Sequence, residues 1–351
     1  MNPLESQLSF PFEDRLPEPP EWLEVAPGVH WVRMPLPFAL NHINLWLLRD
    51  RFQGRDGWTL IDCGISSDTI RVLWERIFAD RLGGLPIVRV ICTHTHPDHV
   101  GLADWITRRF EAPLWMTVGE YAQGRLLSAG MPGANGESAA AHFAMHGAAE
   151  PQIAAVRAAR SNRFSALVPS MPLAFTRLIG DTAVRIGGRE WQIVIGLGHS
   201  PEHAALYCAA DRLLVSGDMV LPRISTNCSV YELEPMANPV EWFLSSLRRF
   251  EACDDETLVL PAHGRPFRRL KVRLAQLHEH HDDRLATVLE ACRRQPLSAA
   301  DAIPVLFDGR RFDNHQFMFA LGESLAHLHA LWYRGAAERS VETGVVRFSA
   351  R

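Results

Sequence analysis

The sequence predicts an α/β protein with two sheets, followed by a small and mostly helical C-terminal segment. Three observations carry this prediction. Short runs rich in β-branched and aromatic residues recur between Val29 and Leu260, each ending in a polar loop. Amphipathic helices separate several of these runs, with apolar residues three and four apart. After Phe267 the strand-like runs give way to helical periodicity that persists to about Trp332.

In chain order, Met1 to Pro20 is proline-rich and irregular, as expected of an arm laid on the surface. Val29 to Met34, Ile43 to Leu48 and Trp58 to Ile61 read as strands of a first sheet, with Arg49 to Gly57 a polar hairpin loop. Ser67-Asp68 caps a helix through about Asp80, and its apolar face is Ile70, Leu73, Trp74 and Ile77. Ile87 to Cys92 is a buried strand, followed by a short helix from about Gly101 to Phe110 and a strand over Ala112 to Thr117. Gly119 to about Arg163 is helical by periodicity but broken at Gly130 to Gly136. That segment is long for a connection, so positions 119–180 are expected to form a helical insertion folded over a site as a lid. Within it His142 and His146 have i, i+4 spacing without a third metal donor nearby.

A second sheet is expected from Thr182 to Ile186, Trp191 to Leu197, Ala204 to Cys208, Arg212 to Val215 and Thr257 to Leu260. Asn238-Pro239 starts a helix through about Phe250. Helices at Arg269 to Cys292, Ala299 to Phe307 and Asp313 to Trp332 follow, closed by a strand over Val345 to Phe348. The chain thus divides into an arm (1–21), a main domain (22–265) and a C-terminal domain (266–351).

With 351 residues, 47% of them hydrophobic, the chain buries a large core and exceeds one sandwich domain. A formal net charge of -4 carries no polyanion-binding signal. Arg265, Arg268, Arg269, Lys271 and Arg273 form one local basic run, read as the solvated start of a helix. His278, His280 and His281, beside Asp282 and Asp283, read as a solvated helix face. The six cysteines are scattered without a CxxC pair, as free thiols are in a reducing compartment, which places the protein in the cytoplasm. Neither a signal peptide nor a membrane span is expected. The absence of G-x-S-x-G and G-x-x-x-x-G-K motifs argues against serine hydrolysis and ATP chemistry.

Chemistry concentrates in His94-Thr95-His96-Pro97-Asp98-His99, where three histidines and an aspartate fall within six positions at a strand end. Imidazole nitrogen and carboxylate oxygen are donors for a catalytic metal that keeps a water. The i, i+2 spacing lets His94 and His96 aim at one ion while Asp98 and His99 turn toward a neighbour, so one loop could nucleate two metals.

This stretch resembles the HxHxDH signature of the metallo-beta-lactamase superfamily. Further motifs follow in the right order: His199 in Gly198-His199-Ser200-Pro201-Glu202-His203, Asp218 in Ser216-Gly217-Asp218, and His263 in Pro261-Ala262-His263-Gly264. The resemblance implies an αββα sandwich in which His94, His96 and His199 hold one metal, Asp98, His99 and His263 the other, and Asp218 bridges them. Asp62-Cys63-Gly64 resembles the family's D-x-G, whose aspartate supports the metal loop. The C-terminal segment resembles the winged-helix region of the β-lactamase-like protein 2 group, while the GHSPEH and PAHG spellings lean toward glyoxalase II.

The function so implied is hydrolysis dependent on two zinc ions, with iron or manganese acceptable to the same donors. Two metals would activate a shared water for attack on an acyl thioester or related activated ester, with Asp98, Asp218 and His263 catalytic. His203, Arg223, Asn227 and Tyr231 are the candidates for substrate or supporting contacts, because they lie near His199 or on the loop after Asp218. The alternatives are a metal-dependent endoribonuclease or phosphodiesterase, a lactonase, and a non-enzymatic metal-binding module whose winged helix contacts nucleic acid.

Overall fold

A computed structural model describes residues 4–131, 133, 135–160 and 163–351. The first three residues of the expected arm, and positions 132 and 134 of the expected helical break, lie outside the described residues.

The chain opens with a 3-10 turn at Glu5–Gln7, then β1 (Leu23–Ala26), β2 (Val29–Pro35), β3 (His42–Phe52) and β4 (Arg55–Ile61). The segment expected as a hairpin loop, Arg49 to Gly57, is instead mostly ladder: Phe52 pairs with Arg55 and only Gln53 and Gly54 turn. Its polar residues are satisfied within the fold. Asp50 is buried, accepting from the Arg89 guanidinium at 2.7 Å and the Thr59 hydroxyl at 2.6 Å. Arg89 itself sits mid-strand, where a lone charge would be costly without that partner.

Helix α1 (Asp68–Asp80) begins as the cap predicted, with the Ser67 hydroxyl accepting from the Ile70 N–H at 3.3 Å, and it buries Ile70, Trp74 and Ile77. Next come β5 (Ile87–Ile91), α2 (Pro97–Val100), α3 (Ala103–Phe110) and β6 (Leu114–Met116). The long helical segment resolves into α4 (Val118–Ser128), α5 (Gly136–Met145), α6 (Glu150–Arg160) and α7 (Arg163–Leu167), followed by a two-residue strand, β7 (Thr176–Arg177). The second sheet is built from β8 (Ala183–Ile186), β9 (Arg189–Gly196), β10 (His203–Cys208) and β11 (Leu213–Gly217), then α8 (Pro239–Phe250) and β12 (Leu258–Pro261). The C-terminal segment is α9 (Leu270–Arg294), α10 (Ala299–Leu306), α11 (Asn314–Tyr333) and a hairpin of β13 (Ala337–Glu342) with β14 (Val345–Ala350).

The first sheet runs β1-β2-β3-β4-β5-β6-β7 and the second β12-β11-β10-β9-β8. Parallel pairs at β4-β5, β5-β6 and β11-β12 require crossovers, which place α1 and α3 outside the first sheet and α8 outside the second. Trp31, Trp46, Trp191, Leu206 and Val215 fill the space between the sheets, whereas Leu45, Leu47 and Leu60 face outward against Trp74 and Ile106. Because β3 buries alternate residues on opposite faces, its apolar run is nearly unbroken. Outside the second sheet, Ala205, Tyr207 and Leu214 meet Phe243 and Leu247 of α8, and the same cluster takes in Leu277, Leu321 and Leu325 of the C-terminal helices. The result is the expected αββα sandwich, with the C-terminal helices continuing its second helical layer. No helix among the described residues is long and apolar enough to cross a membrane. All six cysteines are free and buried.

Part of the histidine cluster on α9 departs from the solvated face expected of it. His281 is only 1% exposed, because it continues the buried row Leu274, Leu277, Leu285 and Val288, three and four residues apart. His327 donates from Nδ1 to the Glu323 carbonyl at 2.8 Å, which leaves its Nε2 to accept from His281 Nδ1 at 3.2 Å. Burial pushes the His281 imidazolium down to about 2, helped by His327 and His280, and pushes His327 down to about 4. An unfolded imidazole takes its proton near pH 6.5, so between there and about 4 the unfolded chain binds more protons than the folded one. Stability present above about pH 6.5 is therefore lost as pH falls through this window. At pH 5 each histidine is expected to cost on the order of 2 kcal/mol. Urea midpoints of the metal-free protein at pH 7.5 and 5 should fall less steeply in His281→Gln than in wild type, and equal slopes would refute the assignment.

Candidate metal centre

The loop after β5 leaves the sheet at Ile91, and Pro97 opens α2, whose first turn carries Asp98 and His99. His199 follows β9, Asp218 follows β11 and His263 follows β12. Strand ends of both sheets thus converge on one edge of the sandwich.

Two donor groups form there, each with its ligand atoms within 4.8 Å of one another: His94, His96, His199 and Asp218, and Asp98, His99 and His263. In the first, His94 Nε2 lies 2.9 Å from His96 Nδ1 and 3.2 Å from His199 Nε2. In the second, Asp98 Oδ2 lies 3.6 Å from His99 Nε2 and 3.3 Å from His263 Nε2. Asp218 stands between them. Its Oδ2 is 3.3 Å from His199 Nε2, and its Oδ1 is 3.7 Å from His99 Nε2 and 3.4 Å from His263 Nε2.

The far side of most rings is pinned. His99 Nδ1 donates to Asp62 Oδ2 at 2.8 Å, His199 Nδ1 to the Asn227 carbonyl at 2.8 Å and His263 Nδ1 to the His42 carbonyl at 2.7 Å. With Nδ1 engaged outward, Nε2 is the nitrogen of each ring left facing inward, where a metal would take its lone pair. His99 Nε2 and Asp218 Oδ1 are buried without a hydrogen-bond partner. Buried polar atoms are ordinarily satisfied, so the donor set fits bound metal, and its nitrogen and carboxylate oxygen suit zinc, iron or manganese.

Electrostatics separate the two groups. Burial and neighbouring histidines hold His94 well below its usual range, and burial and His199 push His96 down to about 3. Burial opposes charge on His99 too, but Asp62, Asp98 and Asp218 outweigh it and push His99 up to about 10. Burial would raise Asp98, yet His99 and His263 hold it at about 2. A metal entering the second group displaces protons, whereas His94 and His96 in the first are offered as neutral imidazoles.

Comparison with known proteins agrees with this geometry. Residues 40–263 match the family model described as Metallo-beta-lactamase superfamily. The chain belongs to the metallo-beta-lactamase superfamily. Residues 285–351 match the model described as Metallo-beta-lactamase-like, C-terminal domain. The probable metallo-hydrolase YqjP of Bacillus subtilis (strain 168) is 24% identical over 320 residues, covering 86% of this chain and 91% of the relative. The crystal structure of a Beta-lactamase domain protein from Burkholderia ambifaria is similar with a TM-score of 0.94 at 52% identity, covering 100% of both chains. A metallo-beta-lactamase family protein from Thermus thermophilus has a TM-score of 0.76 at 26% identity over 93% of this chain and 100% of that one. This chain is accordingly a metallo-hydrolase of that superfamily.

In this superfamily member Asp62 takes the supporting place that the D-x-G resemblance implied. Its Oδ1 accepts from the Thr93 N–H at 2.8 Å, and its Oδ2 from the Thr93 hydroxyl at 2.9 Å as well as from His99. Asp62→Ala is expected to weaken metal binding about 10- to 100-fold in chelator competition; wild-type affinity would show that His99 needs no such brace.

The four candidate contact residues part ways. His203 is fully buried beneath the site, its Nε2 accepting from the Asp218 N–H at 3.1 Å. Asn227 acts through its backbone carbonyl on His199. Arg223 is exposed, and Tyr231 is partly buried against the helical cluster. His142 on α5 and His146 just after it are buried and belong to neither donor group.

Two supporting residues had no legible signal. Glu120, in the first turn of α4, is fully buried, and accepts from the Thr95 N–H at 2.9 Å and the Glu202 N–H at 2.8 Å. One carboxylate therefore ties the His94–His96 loop to the His199 loop. Arg273, expected in a solvated basic run, is instead buried and donates to the carbonyls of Leu221 at 2.6 Å and Ile224 at 2.9 Å, shaping the loop after Asp218. Of the same run, Arg265 reaches the Glu13 carbonyl and Asp14, and Arg269 the Gln7 carbonyl, so the N-terminal arm occupies them.

Proposed function

We propose that this chain is a two-zinc hydrolase of acyl thioesters or similarly activated esters. The placement of Asp218 carries the reading, because one carboxylate oxygen faces each histidine group. In it His94, His96 and His199 hold one metal, Asp98, His99 and His263 hold the other, and Asp218 spans both. Bound metals supply Lewis acidity and an activated water. The chain's residues fix the lone pairs inward, keep His94 and His96 neutral and hold the three loops in register.

Leaving-group chemistry favours the thioester. Asp98 and Asp218 are donors, while Asp62 and Glu120 are engaged by backbone N–H groups, so none of these carboxyls is left to protonate a poor leaving group. A thiolate departs without such help, whereas an alkoxide does not. A phosphodiester would also want a basic channel, and Arg265, Arg269 and Arg273 are already engaged within the fold. The test is steady-state hydrolysis by protein loaded with zinc, iron or manganese, comparing a medium-chain acyl-CoA with a lactone and single-stranded RNA at equal protein, with Asp98→Ala as the blank. Thioester turnover above that blank is expected. RNA cleavage abolished by Asp98→Ala, together with no thioester turnover, would transfer the assignment to the nuclease.

A further inference from the structure

The C-terminal helix α11 touches the loop that orients His199. The His199 ring is aimed by the Asn227 carbonyl at 2.8 Å, and that carbonyl belongs to a loop outside helix and sheet. What fixes it is the Asn227 side chain, held at both ends. Its Oδ1 accepts from the Ser229 hydroxyl at 2.7 Å, and its Nδ2 donates to Glu323 Oε2 at 3.2 Å. Alongside, the Val230 N–H donates to the Gly322 carbonyl at 3.2 Å, and a Cβ at Gly322 would come within 2.8 Å of the Ser229 side chain. Only glycine lets α11 approach this closely.

Glu323 is itself secured. Its Oε1 lies 3.5 Å from Arg284 Nη1, both side chains are largely buried, and Arg284 also donates from Nε to His280 at 2.8 Å and stacks over Phe307 at 4.8 Å. A buried glutamate is costly unless paired, and this one is paired on one side and accepts the loop amide on the other.

We propose that Glu323 is a positioning residue for the metal centre: through Asn227 it sets the orientation of His199, so that the C-terminal helices form part of the support for the first metal. The inference rests on the reading of His199 as a ligand. It assigns the C-terminal segment a place in the metal centre, 96 residues along the chain from the loop it holds.

Cobalt(II) binding to the full chain tests this. Affinity is read by competition with a chromophoric chelator and ligand geometry by the visible absorption of bound cobalt, in wild type, Glu323→Gln, Glu323→Ala and Leu321→Ala. Leu321 is fully buried on the same helix, so Leu321→Ala reports plain loss of packing. Glu323→Ala is expected to weaken the first site about 10- to 100-fold and shift its absorption, as loss of an outer partner does. Glu323→Gln keeps an acceptor for Asn227 and should restore both, and Leu321→Ala should change neither. Wild-type affinity and absorption in Glu323→Ala, or an equal loss in Leu321→Ala, would overturn the proposal while leaving the metal assignment intact. A wild-type chain that takes up no cobalt would overturn the metal assignment and the proposal with it.

Discussion

Replacing Asp218 with alanine is expected to abolish nearly all activity and to release about one metal per chain. Asp218 is the one donor whose two oxygens face both groups, with Oδ2 at 3.3 Å from His199 and Oδ1 at 3.4 Å from His263. Without it two cations would sit close together with no shared anion, and the charge that favours protonated His99 and His263 would also be lost. A metal's electrostatic contribution is worth several kcal/mol, so kcat/KM should fall about 1000-fold or more. His203 keeps its bond to the backbone N–H of residue 218, so the fold should survive the change. A variant within about tenfold of wild type, with unchanged metal content, would show that Asp218 does not bridge.

The second large effect is expected at Glu120. Glu120→Ala removes the acceptor of the buried Thr95 N–H and of the partly buried Glu202 N–H, in the loops that carry His94, His96 and His199. Leaving a buried donor unsatisfied costs about 1 to 3 kcal/mol, and water partly reaches the Glu202 N–H, so the variant should lose about 1 to 3 kcal/mol of stability. Metal affinity should fall with it, because the two loops lose their common tether. Glu120→Gln keeps one carbonyl acceptor and should fall between. Urea denaturation reads the first effect and chelator competition the second. If Glu120→Ala unfolded at the wild-type midpoint and held metal as tightly, Glu120 would have no part in the site.

These two residues mark the limit of what the sequence makes legible. Asp218 and the other donors stand out because metal chemistry demands particular residue types at strand ends, and four of them fall in six positions. Strands such as β5 and β10 are equally plain, since both of their faces are covered and most of their residues are apolar. Glu120, Arg273 and Glu323 are different. Their partners lie 82, 52 and 96 residues away, and a single charged residue on a helix looks the same whether water or a distant loop satisfies it. The Arg49–Gly57 segment fails for the same reason, because Asp50 reads as loop until Arg89, 39 residues later, is placed beside it. β13 is mostly exposed and polar, with Arg339 and Glu342 among its six residues, so it gives no strand signal. Only His281 could have been found, from its place in the three-four spacing of the α9 core row.

The central claim is a pair of metal sites sharing Asp218, and metal stoichiometry tests it most directly. Protein purified without chelator, reconstituted with zinc and freed of excess by gel filtration should carry close to two metals per chain by elemental analysis. One metal or fewer would contradict the account.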